Sequence, residues 1–480
     1  MGSHLTTIFP IICTSSKLYN ISNCIFCTTA LTPGLETVLM VPEPVEQKNI
    51  TLAGYTDLDG RPAFKIAMQE VDERYYVYLA HFWQRGWSIV DVTEPENAEV
   101  VKFVEGPENT TTKQLQVADG KMITGLERPS SSGPAVGEST DPSNPFETGA
   151  YIWDVESDPT DPELLGHYET GGRGTHRNYY NGGDYVFMTA SPEGFEPTLE
   201  DRETNPVKNF HLRIVDISDP ADPTEVSTFM WPGQHPDDDS EEVKVRYFHG
   251  PAYTTAERSD RAYLSYGQVG AVTLDISNIE NPEYVNHLEF GNGMGGYNGV
   301  HSFIPVPGTD LAVVNSEAVH EGLALDHDES DPMGYIFLVD ISDESKAEFI
   351  NTRHYGPRVI SQMPLPKPDE SLPYDNYYQK PGRFGPHNQH HPRGEDVRLQ
   401  QSDYLFMTYF NAGVRIYDIS DPTTPTEAGH WVPEAPEKRY GPRPRNELGT
   451  QIEDIAVDNR GYMYITDPNR GLTILESSLL

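Results

Sequence analysis

Apolar and polar positions alternate along most of this chain, in short bursts separated by Asp, Pro, Gly and Ser. The runs "YYVYLAHF", "YVFMTAS", "AYLSYG", "LAVVNSE", "YLFMTYF" and "YMYITD" each alternate over six to eight residues, the period of a strand with one face buried. After each comes a second phrase that starts as a β-branched run and ends in a turn: "WSIVDVTEPENAEVV", "LRIVDISDPADPTEV", "AVTLDISNIENPEYV", "IFLVDISDESKAEFI", "VRIYDISDPTTPTEA" and "LTILESSLL", with "AYIWDVESDPTDPELL" as a further copy. No 3.6-residue apolar spacing recurs, which sets aside a helical solenoid.

The second phrases are anchored by Asp91, Asp154, Asp216, Asp275, Asp340 and Asp418, spaced 63, 62, 59, 65 and 78 residues apart, and Glu476 takes the slot 58 residues later. An internal repeat of this length decides the fold before anything else does. The aspartate suits a turn because its carboxylate accepts from turn amides, and the following proline ends a strand because it cannot donate to the ladder. A short run such as "EVVKFVEG" follows the turn, and an innermost strand completes about four antiparallel strands per unit. Four such strands repeated radially make a propeller blade. The expectation is an all-β, seven-bladed β-propeller over residues 40–480, one domain. The last copy stops after its third strand at Leu480, and "NITLAGYTD" (Asn49–Asp57) supplies the missing outer strand, closing the ring. Insertions lengthen the loops at Arg128–Thr148, Pro192–Asn209, Glu321–Met333 and Tyr355–Gly385. Long loops on a rigid scaffold are where function concentrates.

The "IVDISDP"-type phrases resemble the LVIVD-repeat family of β-propellers, over about residues 60–480. The resemblance implies the fold more than an activity, because that family is functionally mixed.

Charge narrows the partners. The chain of 480 residues carries a formal net charge of −40, which repels phosphate backbones and anionic lipid. Neither a nucleic-acid nor a membrane partner is expected. No apolar run approaches the ~18 residues that span a bilayer. Residues 1–39 differ from the rest: "MGSH" resembles a tag remnant, and Leu5–Leu39 holds one Lys and one Glu. They read as a disordered extension. No basic n-region with an apolar core is legible there, which favours a cytoplasmic setting. All three cysteines (Cys13, Cys24, Cys27) lie in that extension, so the propeller has neither disulfides nor a Cys-rich metal site.

Candidate chemistry comes from histidine. The innermost strand of each blade starts near the axis, and four consecutive blades begin "GTHRNYY", "RYFHGPAY", "GVHSFIP" and "GPHNQHHP". These bring His176, His249, His301 and His387 to one repeat slot. Blade seven, "GTQIEDIAV", has Glu453 there, whereas blades one and two have "KIAMQEV" and "KQLQVAD". Slots related by blade rotation converge on the axis. Crowded imidazoles stay neutral there, and neutral imidazole is a common metal ligand. Cys-free, His-rich ligation suits a divalent transition metal (Fe, Zn, Cu or Mn) over Ca or Mg. An axial polar network is the competing account, and repeats also copy residues for packing, although a generic packing role should not skip two blades.

Other groups are candidates for catalysis around that centre. Glu453 or Asp454 could ligate the metal or orient a ligand histidine. Glu317 and His81 end second strands, at the pocket rim. His390 and His391 extend the cluster: one of them, with His391 the catalytic candidate, could shuttle protons, and either could replace His387 as ligand. Tyr179, Tyr247, Tyr253 and Phe384 could line an aromatic pocket, or be plain strand aromatics.

A four-His axial centre in a seven-bladed propeller is similar to the arrangement of carotenoid-cleavage oxygenases, by architecture and not by motif. Selenium-binding-protein-type thiol oxidases and propeller polysaccharide lyases place His-based metal sites on such scaffolds too. The expected function is therefore a metalloenzyme acting on a small organic molecule, foremost an oxidoreductase. A metal-dependent hydrolase or lyase, a metal-free lyase or hydrolase using His/Tyr pairs, and a non-enzymatic interaction propeller are the other readings. No Gly-x-Ser-x-Gly elbow, P-loop or Rossmann fingerprint is present.

Overall fold

A computed structural model describes residues 41–129, 144–190, 210–232, 234, 248–290, 299–317, 334–344, 356–393, 396–441, 444 and 447–480. Outside them lie the extension 1–39, the loops at 130–143, 191–209 and 318–333, and Tyr247.

Seven four-stranded antiparallel sheets follow one another along the chain. Blade one runs from Ala63–Val71 to Glu99–Val104, blade two from Leu115–Ala118 to Glu163–Tyr168, and blade three from Thr175–Tyr179 to Thr224–Phe229. Blades four and five run from Ala252–Tyr253 to Glu283–Leu288 and from Ser302–Pro305 to Arg358–Gln362. The protein is a seven-bladed β-propeller, as its repeats require. The supposed insertion at Tyr355–Gly385 needs correction: it contains the outer strand of blade five, Arg358–Gln362. Its sequence "RVISQ" is too short and too exposed to show an alternating pattern.

Ring closure involves both chain ends. Ile50–Thr56 pairs with Gly471–Ser477, from Ile50 opposite Ser477 to Thr56 opposite Leu472. This is the expected completion of blade seven. The preceding strand, Pro44–Lys48, pairs instead with Thr426–Pro433 as the outer, fourth strand of blade six, whose innermost segment forms an isolated bridge with Tyr404–Thr408, between Gln389 and Met407. The N-terminal segment thus ties two neighbouring blades. Glu46 fixes it further, accepting a 2.7 Å hydrogen bond from the Tyr377 hydroxyl, which in turn accepts one from Arg415 at 2.6 Å.

The repeated aspartates do one local job. Each accepts the amide of the residue two positions on: Thr93 to Asp91 at 2.9 Å, Ser218 to Asp216 at 2.8 Å, Ser277 to Asp275 at 2.9 Å, Ser342 to Asp340 at 2.9 Å and Ser420 to Asp418 at 3.0 Å. These Asx turns stop the third strand and launch the fourth. All seven blades also show a register shift between the third and fourth strands. An extra residue there increases the twist, which suits outer strands that diverge from the axis. Apolar side chains fill the spaces between successive blades. One such layer joins Leu212 and Ile214 of blade three, Leu264 and Val272 of blade four and Phe303 of blade five.

Candidate metal centre at the propeller axis

The inner strands hold the histidines in one register. The amides of His249, His301 and His387 donate to the carbonyls of Ser265, Asn315 and Thr408, each the last residue of the second strand of its blade. Glu453 does the same with Thr466 in blade seven. His176 lies in a local shift between Thr175 and Asn178 in blade three. The shift turns both His176 and its neighbour Arg177 to the axis.

Four imidazoles therefore form a continuous chain of ring contacts. Ring centroids are 4.9 Å apart for His176 and His249, 4.6 Å for His249 and His301, and 4.9 Å for His301 and His387. The Nε2 atoms of His176 and His249 lie 3.2 Å apart. Glu317 reaches in from the end of the second strand of blade five. Its carboxylate oxygens lie 3.9 Å from His249 Nε2, 3.5 Å from His301 Nε2 and 3.6 Å from His387 Nε2.

Carboxylates also stand behind two of the rings. Glu127 Oε2 is 3.1 Å from His176 Nδ1, and Glu453 Oε2 is 3.2 Å from His387 Nδ1. At His176 the Glu127 carboxylate fixes the proton on Nδ1 and leaves the Nε2 lone pair free to face the centre, whereas Asn388 Nδ2 also approaches the Nδ1 of His387, at 3.2 Å, and Arg177 Nη2 reaches its Nε2, at 3.4 Å. Each carboxylate has its own counter-charge: Lys113 Nζ lies 2.9 Å from Glu127, and Arg383 pairs with both Glu453 and Glu317. Lysine and arginine neighbours hold Glu127 well below the usual carboxylate range, and His387 and Arg383 lower Glu317 despite its burial.

Burial governs the imidazoles. It lowers His249 and His301 well below the ordinary value, with the Arg177 charge adding to the effect, and it brings His387 down to about 3. His176 is lowered too, with Glu127 opposing. All four are neutral at physiological pH, the state in which imidazole ligates.

The fit to a divalent transition metal rests on these donors. His301 Nε2 is fully buried and has no hydrogen-bond partner. His249, His301 and Glu317 each present a ligand atom within 4.8 Å of the others. Facing Nε2 atoms 3.2 Å apart match neighbouring corners of a coordination shell with ~2.1 Å metal–nitrogen bonds.

Five of the remaining sequence candidates do not join the group. His81 is fully buried with both ring nitrogens engaged, Nδ1 at 3.0 Å from the Pro62 carbonyl and Nε2 at 2.8 Å from the Ser88 hydroxyl. The rim position expected for it is corrected: it staples blade one internally. His391 packs against Tyr253 and Tyr179 at 5.0 and 5.8 Å between centroids, in the next layer of the channel. Four residues on from His387, it packs among these tyrosines and not among the axial imidazoles, so it does not replace His387. His390 is taken up between blades six and seven, by the Leu399 carbonyl at 3.0 Å and the Val457 amide at 3.1 Å. Asp454 binds Lys65 Nζ at 2.8 Å and the Ile66 amide at 2.9 Å, and so is neither ligand nor ligand-orienter. Phe384 belongs to an aromatic cluster with Tyr377, Tyr378 and Tyr409.

Glu127, Arg177, Arg383, Lys65 and Lys113 were not singled out from sequence. A signal existed for the lysines: they stand in the very phrases, "KIAMQEV" and "KQLQVAD", that lack the histidine. The blades without an imidazole contribute cations to the axis instead.

The LVIVD repeat matches residues 207–230 and 396–431, the third-to-fourth-strand turns of blades three and six. No curated protein matches the sequence. Among solved structures, the chain is similar to the β-propeller domain of Myceliophteria thermophila Cps50 (Swd1), with 8% identity and a TM-score of 0.48 over 87% of this chain and 97% of that one. It is also similar to a protein of Desulfotomaculum acetoxidans described as functionally unknown, with 11% identity and a TM-score of 0.44 over 77% and 85% of the two chains.

Proposed function

We propose that the protein is a metalloenzyme acting on a small organic molecule, with a divalent transition metal at the propeller axis. His176, His249, His301 and His387 would hold the metal, and Glu317 stands where it could complete or close the coordination shell. The observation that carries this reading is the convergence of four neutral imidazoles from four successive blades, two of them with a buried carboxylate within 3.2 Å of Nδ1. A packing role does not call for such carboxylates, and an axial polar network does not call for an unpartnered His301 Nε2.

A redox-capable metal there would supply one-electron or dioxygen chemistry, whereas a redox-inert one would supply Lewis-acid chemistry. The surrounding residues have defined parts. Glu127 holds the proton of His176 on Nδ1, and Glu453 backs His387 at 3.2 Å. Arg383, lying 3.7 Å over the Phe410 ring, holds Glu317 and Glu453 in place. His387 stacks on the same Phe410 ring, 4.8 Å between centroids, so the histidine and the carboxylates share one brace. We favour an oxidoreductase over a hydrolase or lyase, because a histidine-rich donor set suits redox-capable iron or copper.

Elemental analysis of the purified protein tests the proposal. About one metal ion per chain is expected, falling by tenfold or more in His301→Ala while the fold, read by circular dichroism, is kept. Metal-free wild-type protein that cannot be loaded with Fe, Zn, Cu or Mn would defeat the reading. An electron paramagnetic resonance signal from the bound ion would select the oxidoreductase over the alternatives.

A further inference from the structure

Beside the histidine layer lies a second axial layer, and its charge is unlike that of the molecule around it. Arg177 extends across the channel from blade three to blade six, with Nη1 donating to Asn388 Oδ1 at 3.2 Å and Nη2 reaching His387 Nε2 at 3.4 Å. It is 4% exposed, and its Nε has no hydrogen-bond partner. Among the described residues no carboxylate lies within ion-pair distance of it. Glu317 feels its charge from farther off but is already committed to Arg383.

The neighbours add to the imbalance. Lys65 is matched by Asp454 at 2.8 Å. Burial still pushes its ammonium down to about 8, and Arg177 and Arg393 push in the same direction. The Tyr253 phenol feels the charges of both Arg177 and Arg393, and its ring packs against His391. His391 is 5% exposed, and its Nδ1 has no hydrogen-bond partner. Arg177 Nε–H and His391 Nδ1 are thus both nine-tenths buried and without hydrogen-bond partners. An unmatched buried guanidinium is costly, more so with neighbouring cations than without, and the chain elsewhere carries a formal charge of −40.

We infer that this layer binds an oxyanion group. The deficit is one of acceptors and of negative charge, and an oxygen anion supplies both. Arg presents a fork suited to it. A carboxylate on an organic substrate, anchored here, would leave the rest of that molecule next to the histidines. That orientation rests on the metalloenzyme reading, but the anion site itself does not. A free inorganic oxyanion would satisfy the same donors.

Calorimetric titration of the protein with acetate, benzoate and sulfate at constant ionic strength tests this, run on protein as purified and again after chelator treatment. Saturable binding in both preparations, weakened about tenfold or more in Arg177→Gln, is the expected result. Binding by acetate or benzoate assigns the site to a carboxylate, and binding by sulfate alone assigns it to an inorganic oxyanion. Binding that survives Arg177→Gln, or that disappears on chelation, overturns the inference, since the metal would then be the acceptor's partner. Where Arg177→Gln does not fold, Arg177→Lys keeps the charge without the fork and is expected to weaken binding. Wild-type protein whose melting temperature shows no saturable response to any of the three anions overturns the inference without a variant. Absence of metal with intact anion binding would refute the metal centre alone.

Discussion

At the residue scale, the histidines divide by how their nitrogens are used. His81 and His390 spend both ring nitrogens on neighbouring groups of the scaffold, whereas the four axial imidazoles turn Nε2 toward one another. His81 carries a pH consequence. Burial brings it down to about 4 from an ordinary 6.5, so the folded state resists a proton that the unfolded chain accepts. The lowered value makes its contribution complete above pH 6.5 and progressively lost as pH falls toward 4, by about 3 kcal/mol in all. His81→Gln is expected to flatten the acid limb of a urea-denaturation stability curve between those values. An unchanged slope would show that other groups set the limb. The axial positions of His176, His249, His301 and His387 were legible because a repeat slot can be read by counting. Their partners were not. Glu127 follows the second strand of blade two, and Arg383 sits in the connection before blade six, where no repeat phrase offers a register. Arg177 reaches the axis only because blade three shifts register beside it, which no alternation pattern announces.

At the element scale, the blades pack through their outer strands as well as their apolar faces. Gly166, in the outer strand of blade two, leaves room for the Asp-Pro turn of blade three: a Cβ there would come within 1.7 Å of the Pro220 carbonyl oxygen. Gly54 of blade seven meets Pro95 of blade one in the same way, at 1.9 Å. The obstacle is backbone in both cases, so a rotamer change cannot relieve it. Gly166→Ala is expected to destabilise by about 1–3 kcal/mol, measured by chemical denaturation, and a neutral substitution would mean that the blade two–three contact is more yielding than its geometry indicates. The second and third strands and the Asx turns were readable from alternation and from the Asp-Ile-Ser-Asp-Pro phrase. The outer strands were harder, because a half-exposed run such as Arg358–Gln362 has no buried face to impose a period.

At the scale of the whole molecule, the ring is closed by strands distant in sequence. Closure of blade seven by Ile50–Thr56 was foreseeable, since a copy that ends after three strands needs a fourth. The outer strand of blade six was not, because Pro44–Lys48 is short and mostly exposed. The two strands should separate in experiment. Removing residues through Lys48 strips only the outer edge of blade six and is expected to lower the calorimetric melting temperature modestly. Removing residues through Thr56 opens the ring and is expected to abolish the cooperative transition. Equal effects from the two truncations would contradict this closure. Blade seven also supplies Glu453, whose carboxylate stands 3.2 Å behind His387, so the blade that joins the chain ends also backs a histidine of the axis. By linkage, any ligand that requires His387 in that place favours the closed ring over the open one, by an amount set by its occupancy. Occupying the axis would therefore slow proteolysis at the chain ends, and fraying of the ends would be felt at the axis as lost affinity.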